Sequence, residues 1–518
     1  MTLILDTDAT RTAPPTPRRR VLVSAVIAQL MVVLDMTIIA IALPRMQDDL
    51  GMTVSQSPWT VTGYSLAFGG LVLFGGRLCA VVGIRRSYQV GLIGFGVASL
   101  AAGMATSFPI LLVARVAQGC FGALLAPTSQ SLLNVTFTER TERERVFAIF
   151  GATGGLGAAV GLLVGGALTD WISWRWALYI NILLATAALL IGQRSLPPAD
   201  QRDHGSRITD DLTGLVLGCG ACFSAVYGLD RAQQTSWTST STVSWLALGG
   251  IAAVLFVVRE RFANRPVLPL SMMALPVRAA SYATQFIAGA AQMGAIIYLT
   301  YYMQNHFGYS PFKSGVVFLP MVLALIATAI PAGRIIVPRL GARGTLPLGL
   351  AVLTGSFLIF SRMTTESTYE HVALPGLIVF GMGLGLTMPV TFNSGTRGVD
   401  AKRTGLASAI LSAAQQIGGS FGVALMTSYA TQHAEDYVTD HAAQVRAEAM
   451  EAMMRAQALP QSPTGKQIIE TLKAELIDRA QIEAYSGGFT MMTWLLAGAA
   501  TVLVACGIGL SLRRRRRR

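Results

Sequence analysis

The stretch VLVSAVIAQLMVVLDMTIIAIAL, residues 21–43, is almost wholly apolar and carries a single charged side chain, that of Asp35. As a helix rising about 1.5 Å per residue, these 23 residues can cross a hydrocarbon core about 30 Å thick. A carboxylate inside such a core costs roughly 2.5–3.5 kcal/mol on insertion scales, so it marks a functional site by default. We therefore expect a membrane helix with a candidate protonation site at Asp35.

Further apolar stretches follow along the whole chain and predict an all-α membrane protein with fourteen spans. They fall at about 59–80, 88–106, 109–132, 146–168, 176–193, 212–229, 243–258, 279–303, 314–332, 345–361, 372–393, 405–428 and 489–512. Charged residues make up only 13% of the chain, against roughly 25% in an ordinary soluble domain. The chain has too little charge to coat the surfaces of several soluble domains.

The basic residues predict the orientation of these spans. An even number of spans places both termini on one side of the membrane. Of the 40 Lys and Arg residues, 29 lie in segments on the side of the termini and five lie in short loops on the other side. This bias fits the positive-inside rule, so we expect both termini in the cytoplasm of a cell whose plasma (inner) membrane holds the protein. It also explains the net charge of +13 without a nucleic-acid partner.

Composition shifts divide the chain into two predicted bundles. Residues 1–20 form a predicted disordered cytoplasmic tail, and 21–196 a six-helix bundle. A linker with two inserted spans follows at 197–270, and 271–512 forms the second six-helix bundle. The basic tail 513–518 is expected to anchor the last helix at anionic lipid head groups.

A long polar insertion, residues 431–486, lies on the side opposite the termini. Its stretches Ala434–Gln457 and Lys466–Ala484 have helical apolar spacing, and Ser462-Pro463 resembles a helix start. The interpretation we favour is a small helical cap outside the membrane. A substrate gate or a lid that binds a partner stays open as an alternative.

Several site classes find no support in the sequence. Cys219 and Cys222 form a CxxC inside a span without other soft ligands, so we interpret them as packing residues and expect no metal. The sequence GxxxxGK[ST] does not occur, and the glycine-rich stretches 155–157 and 381–385 lie in spans and not after strands. We therefore expect no nucleotide, no cofactor and no enzymatic activity.

A weak internal repeat links the two predicted bundles. Gly76-Arg77-Leu78 with Gly83-Ile84-Arg85-Arg86 ends the second span, and Gly333-Arg334-Ile335 with Gly341-Ala342-Arg343 ends the tenth. Short basic turns at equivalent points are what a duplicated six-helix unit gives. A separate ladder, Gly157, Gly161 and Gly165, provides the small residues that close helix packing needs.

Together these motifs resemble the major facilitator superfamily, and specifically its fourteen-span drug:proton antiporters (EmrB/QacA-type). The stretches that carry the resemblance are Leu34–Thr37 with Ala42–Pro44, Ala114–Gly119, Trp174–Trp176 with Asn181, Tyr302–Gln304 with Gly308–Pro311 and Leu319-Pro320, and Gly405–Ser408 with Gln416–Gly419. The resemblance implies two six-helix bundles around a central cavity. It also implies efflux of hydrophobic drugs, antibiotics or related natural products in exchange for protons. The motif residues Gly76, Arg77, Gly83, Arg85 and Arg86 would act in the conformational cycle.

Three positions depart from the motifs of that branch. Ala80 stands where an acid is usual in the loop after the second span, Leu162 where a Gly-Pro pair is usual, and Ala40 where Asn is usual. In the family, the acid in that loop is thought to help lock the helices during the conformational cycle. The missing proline weakens the antiporter assignment, although the glycine ladder around it is intact.

The residues themselves support a pair between Asp35 and Arg115. Asp35 lies eight residues, about 12 Å, from the outer end of its span, and Arg115 lies six residues, about 9 Å, from the same side. Pairing would offset the cost of burying either charge. An acid that gains and loses a proton on alternate sides can couple a proton gradient to movement of the two bundles. A static ion pair that only fixes helix packing is the structural alternative.

Polar and aromatic residues in the spans are candidates for the wall of a substrate cavity. They are Thr37, Gln118, Gln285, Gln292, Tyr298 and Tyr301. Contact with lipid or with a neighbouring helix is equally compatible with the sequence for those in the ninth span. A single clear intramembrane acid favours neutral or monovalent amphiphilic substrates.

Two other functions stay open. One is proton-coupled uptake, or transport of a lipid or metabolite, on the same scaffold. The other is a membrane sensor that transports nothing and whose 431–486 insertion binds a partner. The sensor should tolerate Asp35→Asn but not deletion of the insertion, whereas a transporter should show the reverse.

Overall fold

The computed structural model describes residues 16–53, 56–196, 212–263, 273, 275–397, 399, 404–455 and 462–515. Within these ranges the chain forms helices and no strand, so the predicted all-α fold is confirmed. The predicted linker 197–211, most of 264–274 and the tail 1–15 lie outside the described residues.

Fifteen α-helices make up the described part of the chain. They are α1 (Thr16–Leu50), α2 (Trp59–Val82), α3 (Ile84–Gly103), α4 (Phe108–Thr136), α5 (Arg140–Trp171), α6 (Trp174–Gly192), α7 (Leu212–Gln234), α8 (Thr240–Phe262), α9 (Pro276–Tyr301), α10 (Pro311–Val317), α11 (Leu319–Pro331), α12 (Val337–Phe360), α13 (Leu374–Thr396), α14 (Thr404–Arg455) and α15 (Pro463–Arg515). Short π-helical turns follow α9 and α11 and precede α13, at Tyr302–His306, Ala332–Ile336 and Tyr369–Ala373.

Polar contacts join helix ends that the chain order places on the same side. At the side where α1 begins, here the terminal side, the hydroxyls of Ser24 and Tyr88 lie 2.8 Å apart. At the opposite, distal side, Arg175 of α6 pairs with Asp49 at the end of α1 at 2.6 Å. It also donates to the carbonyl oxygen of Ala105, just beyond α3, at 3.0 Å. Consecutive helices therefore run alternately up and down through the bundle.

The two halves of the chain share one packing pattern. In the first half α4 packs on both α2 and α3, and in the second half α13 packs on both α11 and α12. Gly83 separates α2 from α3 with φ +98°, and Gly341 breaks α12 with φ +65°. Only glycine adopts such angles without strain, which is why the sequence repeat carries glycine at both turns.

Nine helices in the described part are long and apolar enough to cross a membrane. One of these stretches, Pro311–Phe360, contains the break at Gly341 and therefore holds two passes. The other predicted segments, 59–80, 88–106, 146–168 and 405–428, lie on α2, α3, α5 and α14. Apart from a few residues at their ends and Phe318 between α10 and α11, all fourteen predicted segments are thus helical.

Helices α7 and α8 form a pair that stands at one edge of the boundary between the halves. They pack on each other, and α7 also contacts α2 of the first half and α14 of the second. The inserted pair therefore lies beside the seam, defined here as the contact surface between α1–α6 and α9–α15.

Two predicted boundaries differ in the structure. The insertion 431–486 is helical, as expected for the cap, but its helices are continuous with the flanking spans, because α14 and α15 run on as single helices of 52 and 53 residues and form a projecting hairpin. No proline interrupts the chain where α14 leaves the predicted span. The predicted disordered tail also ends earlier than expected, since Thr16–Arg20 is helical and Arg18 lies 3.5 Å from Glu142.

Candidate functional site

The two predicted intramembrane charges meet in the first half of the protein. Nη1 of Arg115 on α4 lies 2.5 Å from Oδ2 of Asp35 on α1. Neither side chain has any exposed surface. The two charges pair at the same depth, as the sequence predicted, and pairing offsets the cost of burying either one.

Two amides complete the hydrogen bonding of the carboxylate. Oδ1 of Asp35 accepts from Nδ2 of Asn181 on α6 at 2.7 Å and from Nε2 of Gln118 on α4 at 3.1 Å. The Gln118 amide also donates to Ser99 on α3 at 2.7 Å, and its oxygen accepts from Arg115 at 2.9 Å. The resulting set of donors complements a charged carboxylate, because every partner offers an N–H group.

The guanidinium of Arg115 is held on its other side by α2. Its Nε donates to the carbonyl oxygen of Thr60 at 2.9 Å, and its Cζ lies 4.7 Å from the ring centroid of Tyr64. Nη2 of Arg115, the hydroxyls of Thr60 and Tyr64, and Oδ1 of Asn181 are buried without a hydrogen-bond partner among the described atoms. The cluster therefore keeps spare hydrogen-bonding capacity next to its ion pair.

The carboxylate points into the first half, between α4 and α6, and not into the seam. Met36, the next residue on α1, faces the second half, and its sulfur lies 3.1 Å from the amide nitrogen of Gln416 on α14. One helix thus carries the ion pair on one face and a contact with the second half on another.

Two of the predicted cavity residues, Gln118 and Thr37, are buried against neighbouring helices and do not lie on a cavity wall. Gln118 belongs to the charged cluster and has no exposed surface. Thr37 is also buried, with its hydroxyl 3.1 Å from the Leu34 carbonyl oxygen of its own helix and facing Gly161 on α5. The sequence could not show which helix face meets a neighbour, so both were placed on a cavity wall.

The remaining cavity candidates lie on α9. Oε1 of Gln285 accepts from Thr391 at 2.5 Å, fully buried, and Oε1 of Gln292 accepts from Gln415 at 3.2 Å in a partly buried position. The ring of Tyr298 packs within the second half, 5.5 Å from the ring of Tyr485. Partly buried Tyr301 lies at the seam, as described below. Of the four predicted cavity residues on α9, Gln292 and Tyr301 are partly exposed, whereas Gln285 and Tyr298 are buried.

The predicted conformational motif lies at the terminal ends of α2 and α3. Gly83 forms the turn, and Nη2 of Arg85 donates to the carbonyl oxygen of Gln193 beyond α6 at 3.3 Å. Arg86 is exposed, Arg77 is partly buried, and a Cβ at Gly76 would meet no atom within 4 Å. The side chain of Ala80 lies outside the described residues.

The glycine ladder packs α5 on α1. A Cβ at Gly157 would lie 3.1 Å from Val33, and a Cβ at Gly165 would lie 2.9 Å from the backbone Cα of Ile38. Leu162, where the family has proline, is buried, and its carbonyl oxygen borders Gly315 of α10. This departure therefore lies on the seam, whereas Ala40, 2% exposed, lies within the core.

Three members of the cluster could not be assigned to it from the sequence. Asn181 stands out only as part of a motif, and Ser99 and Tyr64 carry no distinguishing signal. Polar residues inside apolar spans are the available signal, since buried polar groups need partners. Within the described residues, no three His, Cys, Asp or Glu side chains come together as a metal site would require.

Residues 25–423 match the sequence profile of the Major Facilitator Superfamily. The chain belongs to this superfamily. It is similar to the puromycin resistance protein pur8 of Streptomyces alboniger, with 40% identity over 82% of this chain and 85% of that protein. It is also similar to the cephamycin export protein CmcT of Amycolatopsis lactamdurans, with 33% identity over 80% of this chain and 86% of that one.

Solved structures support the same fold at low sequence identity. A bacterial homologue of the human lysosomal transporter Spinster, in an inward-facing and unoccupied conformation, has a TM-score of 0.61 at 13% identity, with 96% of this chain and 99% of that chain covered. A bacterial homologue of the human drug peptide transporters PepT1 and PepT2 has a TM-score of 0.60 at 12% identity, with 96% and 99% covered. This chain is therefore a multi-pass membrane protein with the major facilitator fold.

Proposed function

We propose that this protein exports hydrophobic drugs, antibiotics or related natural products across the bacterial inner membrane in exchange for protons. Its relatives support export, since their names include puromycin resistance, cephamycin export and, in Streptomyces glaucescens, tetracenomycin C resistance and export. The observation that carries the proton coupling is the buried pair of Asp35 and Arg115 with its amide donors.

Protonation of Asp35 would change the balance of charge in the cluster. A neutral Asp35 leaves Arg115 as an unpaired guanidinium in an apolar bundle, which costs several kcal/mol. Arg115 is then driven toward another acceptor or toward water, and its unpartnered Nη2 is already available for such a bond. Proton uptake therefore favours a rearrangement of α4 relative to α1.

Helix α1 would transmit this rearrangement to the seam. Asp35 and Met36 are successive residues, so they point about 100° apart around α1. Movement of α1 at Asp35 therefore also moves Met36 against Gln416 of the second half. Since Asp35 has no exposed surface here, proton exchange requires another conformation, in which water reaches the cluster.

The polar groups near the seam favour neutral or monovalent amphiphiles as substrates. Gln292 and Gln415 pair through their amides, Gln416 contacts Met36, and all three glutamines are partly buried. Amides provide donors and acceptors without a net charge, so they can adapt to varied polar groups on an apolar compound. Both termini would lie in the cytoplasm, as the distribution of basic residues indicates.

The decisive test is substrate accumulation in inverted membrane vesicles with an imposed pH gradient. A susceptibility panel of puromycin, lincomycin, tetracenomycin C and a cephamycin first identifies a transported compound. We expect Asp35→Asn to reduce gradient-driven accumulation by about tenfold or more, because the asparagine cannot exchange a proton. Substrate exchange without a gradient should persist in this variant.

Asp48→Asn is the matched control, because Asp48 is an exposed carboxylate on the same helix, outside the cluster. It should accumulate substrate at the parent rate. If Asp35→Asn vesicles follow the pH gradient as well as the parent protein does, Asp35 is not the coupling residue.

A further inference from the structure

Tyr301 connects the two halves of the protein at the distal side. It is the last residue of α9, and its hydroxyl lies 3.0 Å from the hydroxyl of Ser57, just before α2. The same hydroxyl lies 3.1 Å from Oε1 of Gln47, near the end of α1. Both partners belong to the first half, so a single phenol group joins the second half to two segments of the first.

Gln304 makes a second connection one turn further along. Its Nε2 donates to the carbonyl oxygen of Ile41 on α1 at 3.1 Å. Gln304 lies in the π-helical turn Tyr302–His306, where the wider winding shifts side chains relative to an ordinary α-helix. Such single π turns are frequent at functional sites.

Close packing on a second edge of the seam accompanies these bonds. A Cβ at Gly166 would lie 2.6 Å from the carbonyl oxygen of Pro311, so α5 and α10 are in backbone contact there. The rings of Trp171 and Phe312 lie 4.8 Å apart at the same distal level. The seam is therefore closed at its distal end by polar bonds near α9 and by apolar contact near α10.

We propose that Tyr301 and Gln304, with Gln47, Ser57 and the carbonyl of Ile41, form a polar latch that holds the distal side closed. This inference rests on the proposed transport function, which requires the distal side to open for release. The latch contains neutral groups only, and a neutral hydrogen bond contributes a modest net stabilisation. Its bonds can be exchanged for bonds to water in each cycle without burying a charge.

The latch differs from a polar contact within the first half on the same side. Arg175 binds Asp49 and the carbonyl of Ala105 within the first half, so this contact can persist while the halves separate. Tyr301 and Gln304 bridge the halves, so their bonds must break when the distal side opens.

Thiol accessibility in intact cells tests the latch without any transport measurement. In a full-length protein whose five cysteines are replaced, Met36→Cys places a thiol at the seam beneath the latch. A membrane-impermeant maleimide added outside should label it slowly. We expect Tyr301→Phe combined with Gln304→Leu to raise the labelling rate by about tenfold or more, since three neutral hydrogen bonds are lost. Glu448→Cys, on the exposed surface of the hairpin, reports that the reagent reaches the distal side.

Tyr302→Phe is the matched control, because its hydroxyl bonds to the Thr364 carbonyl oxygen at 3.4 Å within the second half. It should leave the labelling rate unchanged. Gln47→Leu removes the partner on α1 and should also raise the rate, which keeps the test valid if the double variant folds poorly. A folded latch variant that labels at the parent rate would overturn the latch. If the protein exports none of the test compounds, the proposed function is overturned, but the labelling rates of Met36→Cys still show whether the latch closes the distal side.

Discussion

At the scale of single residues, Asp49 shows how one exposed carboxylate can join three helices at the distal side. It accepts from Nε1 of Trp174 at 3.0 Å and from Arg175 at 2.6 Å, and Arg175 also reaches the end of α3. The tryptophan and arginine belong to one of the motifs in the sequence, and the contact gives that motif a structural role. The hydrogen bonds from Arg175 and Trp174 hold the pKa of Asp49 below its ordinary value of 3.8.

This lowered pKa predicts a small pH-dependent term in stability. A carboxyl whose pKa is depressed by folding stabilises the protein above its unfolded pKa, and this contribution is lost as the pH falls through the folded value. Because the Asp49 side chain is 48% exposed, solvent limits the contribution to about 1 kcal/mol or less. Asp49→Asn should therefore lower the thermal midpoint of the purified protein slightly at pH 7. The difference should shrink as the pH falls below the ordinary Asp value and vanish below the folded pKa of Asp49. A difference that is independent of pH would contradict the assignment, and Asp48→Asn is the control.

The sequence predicted the two charges of the cluster but not their hydrogen-bond partners. Asp35 and Arg115 could be found because each is a lone charge in an apolar run and their depths agree. Asn181 and Ser99 lie on α6 and α3, and their contact with the cluster depends on which faces of these helices turn inward. That choice is made by tertiary packing, which local spacing does not determine. Gln118 was assigned to a cavity for the same reason.

At the scale of helices, glycine has two distinct roles in this chain. Gly83 and Gly341 allow turns with positive φ, whereas Gly157, Gly161 and Gly165 let α5 approach the backbone of α1. Without a hydrophobic driving force between helices in lipid, such close approach is a main source of stability. Sequence spacing predicted both roles, because turns and ladders are local patterns.

The ladder predicts a contrast between two Gly→Ala substitutions. In Gly165→Ala the new Cβ would lie 2.9 Å from Cα of Ile38, and a backbone atom cannot rotate away. We expect α1 and α5 to separate slightly, at a cost of about 1–3 kcal/mol. In Gly76→Ala the Cβ meets no atom within 4 Å, so alanine should leave stability equal or slightly raise it. Thermal midpoints in the same detergent measure both. A Gly165→Ala protein as stable as the parent would show that the ladder does not carry the contact.

The full lengths of α14 and α15 could not be predicted from the sequence, because both helices extend beyond the apolar spans 405–428 and 489–512. Both spans and the helical character of the polar residues beyond them could be predicted, but not that each span continues into those residues as one helix. A change from apolar to polar composition marks the membrane boundary and does not end a helix. Since no proline intervenes, α14 continues to Arg455 and α15 begins at Pro463, well before its apolar part.

At the scale of the whole molecule, the hairpin of α14 and α15 touches the transport bundle near the latch. Nδ1 of His306, in the π turn after α9, lies 3.4 Å from Oδ2 of Asp478 on α15. The apolar helices could be predicted from hydropathy alone, whereas the His306–Asp478 contact and the closed seam arise only when distant segments pack. The hairpin is also where a transporter and a membrane sensor differ in what they require.

Shortening the hairpin tests whether export requires it. Replacing residues 437–479 by a short Gly-Ser linker removes the projecting part and the contact of Asp478 with His306. It retains Tyr485 and Phe489, which pack on Tyr298 in the second half. Because closing a shorter distal loop costs little, we expect the variant to fold and to export the test compound within about twofold of the parent rate. A full-length protein with the same linker inserted within 456–461 controls for the linker. Loss of export in the shortened protein alone, with a normal gel-filtration profile, would assign an essential role to the hairpin and favour a substrate gate or lid.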